Sequence, residues 1–119
     1  MNFVEPIRDR KKIAQIKNLL RGEGRFRDLL LFVMGINTAL RISDLLELQV
    51  GHFLDDHQHI KQRFWIKEQK RGKRREVVVN ASIRDALEEY FAAYPEIISD
   101  QNNFIFFNTK GCGFIQPIK

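Results

Sequence analysis

Apolar residues recur along this chain at two spacings, and the change from one to the other divides it into elements. Ile13, Ile16, Leu19 and Leu20 fall on one face of a helix, with Lys11, Lys12 and Lys17 mostly off it, predicting a helix from about Asp9 to Leu20 closed by Gly22 and Gly24. A second helix is expected from about Arg25 to Thr38, where the near-continuous apolar run Leu29 to Met34, with Ile36 and Leu40, marks the centre of the core. Ser43 and Asp44 read as the N-cap and first turn of a short third helix. After Val50-Gly51, the polar stretch Asp55 to His59 reads as a turn, and the period then shortens to two. Ile60, Gln62, Phe64 and Ile66 share one face of a strand, with Lys61, Arg63, Trp65 and Lys67 on the other. The return strand is Arg75 to Val79, joined through the glycine-containing turn Lys70-Arg71-Gly72-Lys73. Ser82-Ile83-Arg84-Asp85 has the form of a capping box, and Ile83, Leu87, Tyr90, Phe91 and Tyr94 repeat at helical spacing until Pro95. A short apolar strand, Phe104 to Phe107, follows; glycines 111 and 113 interrupt what comes next, and Pro117-Ile118 looks like the first turn of another helix.

These elements predict an α+β fold, mostly helical, with a small antiparallel sheet at one edge. There is no internal repeat or linker, so residues 1–119 are expected to form one unit. With 44% hydrophobic residues the chain is globular in character, with a modest core. Cys112 is the only cysteine, which excludes an intramolecular disulfide and favours an intracellular, cytoplasmic setting. Met1 to Pro6 lacks the apolar stretch of a signal peptide, and Leu29 to Met34 falls far short of the roughly 20 apolar residues of a membrane helix.

Charge changes the picture more than composition does. The net charge is +5, yet Lys61, Arg63, Lys67, Lys70, Arg71, Lys73, Arg74 and Arg75 sit within one short segment against Glu68 alone, leaving the remainder slightly negative. Such focusing suits a polyanion, with nucleic acid ahead of an anionic membrane surface; a solvated, charge-rich hairpin is the plain alternative. Arg41 lies in Thr38-Ala39-Leu40-Arg41-Ile42-Ser43-Asp44, at the junction of two helices. A planar cation there can grip a phosphate, or it can pair on the surface with Glu47 or Asp28. Asp44 either complements the helix dipole or orients Arg41. His57 and His59 beside Asp55 and Asp56 are read as solvated turn residues rather than metal ligands, Cys112 as incidental, and Phe64 and Trp65 as packing aromatics.

Apolar helix, Ala39-Leu40-Arg41-Ile42-Ser43-Asp44-Leu45-Leu46-Glu47-Leu48, strand pair with Gln69-Lys70-Arg71-Gly72-Lys73-Arg74-Arg75-Glu76-Val77 at its turn, and capped helix occur in the order of the tyrosine recombinases. The chain resembles the first half of the catalytic domain of that phage integrase family over essentially its whole length. The resemblance implies that Arg41 contacts the scissile phosphate and that Lys70 is the general acid toward the leaving 5′ oxygen, with Lys67 and Lys73 as rivals for that role. It implies DNA contacts from Lys67, Arg71, Lys73, Arg74 and Arg75, a positioning role for Asp44, and double-stranded DNA as partner. The parent reaction would be metal-free, cofactor-free strand cleavage and rejoining through a phosphotyrosine, during integration or excision of a phage or other mobile element.

The sequence departs from the family in two ways. Ala39 stands where the family more often has glycine. The family's H-x-x-R box and tyrosine nucleophile fall downstream of the matched motifs: His52, His57 and His59 precede the hairpin and none has an arginine three residues on, while Tyr90 and Tyr94 lie on an apolar helix face. This chain alone is therefore expected to bind DNA without rearranging it. The alternative is a non-catalytic module that occupies DNA or other recombinase subunits.

Overall fold

The computed structural model describes residues 9–106. Phe107, Cys112 and the terminal Pro117-Ile118-Lys119 lie outside them. Five helices and one hairpin follow in the order α1 (Arg10–Gly22), α2 (Phe26–Thr38), α3 (Ile42–Leu45), α4 (Val50–Phe53), β1 (Arg63–Lys67), β2 (Arg74–Val78) and α5 (Ala81–Ala93), then a 3₁₀ turn over Pro95–Ser99. The fold is the expected α+β type, mostly helical.

The core forms where α2 crosses α5. Leu29, Leu30, Val33 and Met34 make the buried stripe of α2, and Ile83, Ala86, Leu87 and Tyr90 that of α5. Four-residue spacing explains both stripes, since such positions stack on one helix face. Asp9 caps α1 by accepting from the Lys11 amide at 2.9 Å, and Gly24 at φ 69 turns the chain out of that helix. The cap of helix α5 lies two residues before the expected one: Asn80, not Ser82, accepts the Ile83 amide at 3.0 Å, so Ser82 sits inside the first turn. Asparagine leaving an extended strand is the stronger cap because its carbonyl oxygen reaches the third helical amide.

β1 and β2 pair antiparallel, with Phe64 opposite Val77, Ile66 opposite Arg75 and Lys67 opposite Arg74. The inner face carries Phe64, Ile66, Arg75 and Val77; the outer face carries Arg63, Trp65, Lys67 and Arg74. Phe64 packs against Phe53 of α4 at 4.8 Å between ring centres. Helix α4 has no counterpart in the sequence reading; Gln49 and His52 form its capping box, with the Gln49 amide donating to His52 Nδ1 at 2.9 Å. The strand expected from Phe104 is reduced to a single bridge, Gln49 to Phe104, where Ile105 N donates to Leu48 O at 2.9 Å. Ile105 and Phe106 are fully buried there. Tyr90 is buried with them, and its hydroxyl donates to the Ile105 carbonyl. Among the described residues no helix is long and apolar enough to cross a membrane.

Candidate functional site

The local chain path explains where Arg41 points. Helix α2 ends at Thr38, whose hydroxyl donates back to Met34 O at 2.8 Å, and Ala39 adopts the left-handed conformation at φ 56. That residue stands where glycine would carry no steric penalty. Arg41 follows in extended conformation and is itself the N-cap of α3, which begins at Ile42 instead of Ser43. As α3 is a single turn, its dipole contributes little. The charge at this site comes from side chains.

Arg41 and Lys70 line one small pocket, of about 210 Å³, together with Ala39, Glu68, Arg71 and Arg75. Lys67 and Lys73 do not line it. Arg41, Lys70 and Arg71 are exposed, and none of their three side chains makes a hydrogen bond or ion pair among the described residues. Arg41 is not paired with Asp28, which holds Arg25 at 2.9 Å. Three uncommitted cations around one small polar opening can neutralise a phosphate from several sides.

Arg75 differs from its neighbours. On the inner strand face, its guanidinium donates to the Thr38 carbonyl at the end of α2 and pairs with Glu68 at 3.4 Å. It therefore clamps the hairpin base to the turn that carries Arg41. Among the cations expected to contact DNA, its guanidinium is thus the one engaged by a helix C-terminus and a carboxylate.

Asp44 also acts on the hairpin. It is only 4% exposed, and its Oδ1 accepts the Gln69 amide at 3.0 Å, immediately before Lys70. The partner is the hairpin backbone rather than Arg41, so the residue fixes the loop carrying Lys70. Its Oδ2 has no partner among the described residues. The loop itself closes through Glu68 N to Lys73 O at 2.8 Å and Gly72 N to Glu68 O at 2.7 Å, with Gly72 at φ 65. A side chain at that φ would be strained, so glycine is needed there.

The two strand aromatics expected to pack lie on opposite faces and have different fates. Phe64 is buried, whereas Trp65 is 51% exposed with the Arg74 guanidinium 4.9 Å above its ring. Lys67 faces Arg74 directly across the strands. Lys73 is exposed beside them. His52 is partly buried behind the hairpin; burial, with Lys61 nearby, holds its pKa below the ordinary value. Asp55 Oδ1 accepts the amides of both His57 and His59, and no group of three or more metal-binding side chains gathers among the described residues.

Residues 9–116 match the phage integrase family. The chain is 41% identical over 90 residues to a protein of Bacillus subtilis (strain 168) described as the probable integrase/recombinase YoeC, covering 76% of this chain and 46% of that protein. It thus spans about half the length of that curated relative. No solved structure matches it significantly.

Proposed function

Since this chain belongs to the phage integrase family, we propose that it is the phosphate-holding half of a tyrosine recombinase catalytic domain and that it binds double-stranded DNA. The observation that carries the reading is the shared pocket of Arg41 and Lys70, which come from different elements. Arg41 grips the nonbridging oxygens of the scissile phosphate, where negative charge grows in the transition state. Lys70, held over the same opening, gives its proton to the departing 5′ oxygen. Arg71 adds charge to the pocket, Lys67, Lys73 and Arg74 meet flanking phosphates, and Arg75 and Asp44 hold the two walls in register.

The tyrosine nucleophile of the parent reaction is not one of this chain's two tyrosines. Tyr90 is buried and bound to Ile105, and neither Tyr90 nor Tyr94 lines the pocket. Cleavage and rejoining thus require protein beyond these residues, and the chain by itself binds without cutting. The test is anisotropy of a labelled duplex across a salt series. Arg41→Ala and Lys70→Ala should each weaken binding and lower the slope of log K against log salt by about one. Affinity that is unchanged between low and moderate salt would overturn the proposal.

A further inference from the structure

The hairpin's outer face opens on a second pocket, of about 570 Å³, which shares no lining residue with the Arg41–Lys70 opening. Trp65, Lys67 and Arg74 line one side, and Asp44, His52 and Gln69 another. We infer that this pocket binds a nucleotide, its base beside Trp65 and Asp44 and its phosphate on Lys67 and Arg74. The inference goes beyond the recombinase reading, because it needs no scissile phosphate on Arg41.

Each part of a nucleotide finds its chemistry here. Lys67 and Arg74 stand opposite each other across the strands and neither forms an ion pair among the described residues, a like-charge pair that a phosphate would relieve. Trp65 keeps half its surface open, and an indole stacks on any base. The third part is the most specific. Asp44 is buried, its Oδ1 is fixed by the Gln69 amide, and its Oδ2 faces no donor among the described residues. A buried carboxylate oxygen without a donor is costly, so a ligand whose N–H reaches it, by a small shift of the pocket wall that opens this solvent-closed oxygen, is favoured. The exocyclic amine of adenine is such a donor. Glu47, on the same pocket wall, adds a further acceptor.

Trp65 is the only tryptophan, so its fluorescence reports the pocket directly. The intact protein is titrated with dAMP, with the corresponding purine nucleotide lacking the 6-amino group, and with inorganic phosphate. The dAMP should quench Trp65 at roughly tenfold lower concentration than the amine-free nucleotide, the worth of one charge-assisted hydrogen bond. Inorganic phosphate should compete with both and quench with neither. Asp44→Asn keeps its carbonyl oxygen on the Gln69 amide and places an NH₂ where Oδ2 was, so the preference for the amine should vanish while quenching persists. A merely structural role for Asp44 would not alter that ratio. Quenching by single-stranded oligo(dA) as well as dAMP identifies an unpaired DNA base as the source; quenching by dAMP alone identifies a free nucleotide. Absence of quenching by every nucleotide, or equal quenching with and without the amine, overturns the inference. Salt-dependent duplex binding that survives such a failure leaves the recombinase reading standing.

Discussion

Arg75 offers the sharpest separation of structure from function within the basic hairpin. Replacing it with methionine keeps the length of the side chain and removes the charge and the donors. Its bond to the Thr38 carbonyl is charge-assisted, a class that contributes about 1.5–3 kcal/mol. The pair with Glu68 adds well under about 1 kcal/mol, because Arg75 remains 36% exposed and Glu68 20% exposed, so water screens it. A loss of about 2 kcal/mol follows, which in a domain of this size lowers Tm by roughly 10 °C. Arg71→Met is the matched control. Arg71 is exposed and without an ion pair among the described residues, so its loss should change stability by less than about 0.5 kcal/mol. The two variants should reverse in DNA binding: Arg71→Met lowers the salt slope by about one, and Arg75→Met leaves the slope intact while weakening the complex through a loosened Arg41 turn. Thermal unfolding by circular dichroism and a salt series by anisotropy give both readouts. An Arg75→Met protein with unchanged Tm and a slope reduced by one would refute the clamp and return Arg75 to the phosphate-contacting set.

Three further outcomes follow from local geometry. Ala39→Gly should stabilise the chain by about 0.5 kcal/mol in chemical denaturation, because relief of the left-handed strain at φ 56 exceeds the added freedom of glycine when unfolded; a lower denaturation midpoint would count against that strain. Tyr90→Phe leaves the buried Ile105 carbonyl without its hydroxyl donor and should cost about 1–2 kcal/mol in urea unfolding, whereas an unshifted midpoint would show the bond to be dispensable. His52 has a folded pKa depressed below its ordinary 6.5, mainly by burial, so below that pH the unfolded chain binds more protons. Stability should therefore fall as pH drops through and below 6.5 and level off above it. His52→Asn should flatten that dependence, and a wild-type profile already flat there would refute the assignment.

Long periodic segments were legible because many residues repeat the same message. The stripes of α2 and α5 each carry several positions in phase, and the hairpin alternates over both strands; of the four apolar positions expected on one face of α1, Leu20 is buried and Leu19 is 59% exposed. Short elements lack that redundancy. Val50-Gly51-His52-Phe53 is one helical turn, held by the Gln49–His52 capping box and by Val50 N donating to Asn103 O at 2.8 Å, a partner far away in sequence. Asp44 illustrates the same limit. Beside Ser43 it resembles a local helix signal, yet its oxygen is taken by the distant Gln69 amide, and only the folded chain brings the two together.

The candidate site shows how a single periodicity sorts residues that charge alone makes equivalent. Arg71, Lys73, Arg74 and Arg75 form one cationic run in the sequence, and composition gives each the same claim on a phosphate. Val77 and Val79 are buried at 3% and 6% exposure, and counting back by two from them places Arg75 on the same inward face. Arg74 then faces outward with Trp65 and Lys67, and Lys70 and Arg71 belong to neither face because they lie in the loop. The alternation was present in the sequence, and extending it one step past the valines would have separated Arg75 from its neighbours. An inward arginine is tolerable only where it meets acceptors, and here these are the open carbonyl at the end of α2 and the carboxylate of Glu68. The acceptor at Thr38 adjoins the left-handed Ala39 turn, so the residue that closes the helix end also fixes the origin of Arg41. The hairpin's inward cation thereby joins the two walls of the pocket, and the loop cations Lys70 and Arg71 and the outward Lys67 and Arg74 remain available to anions.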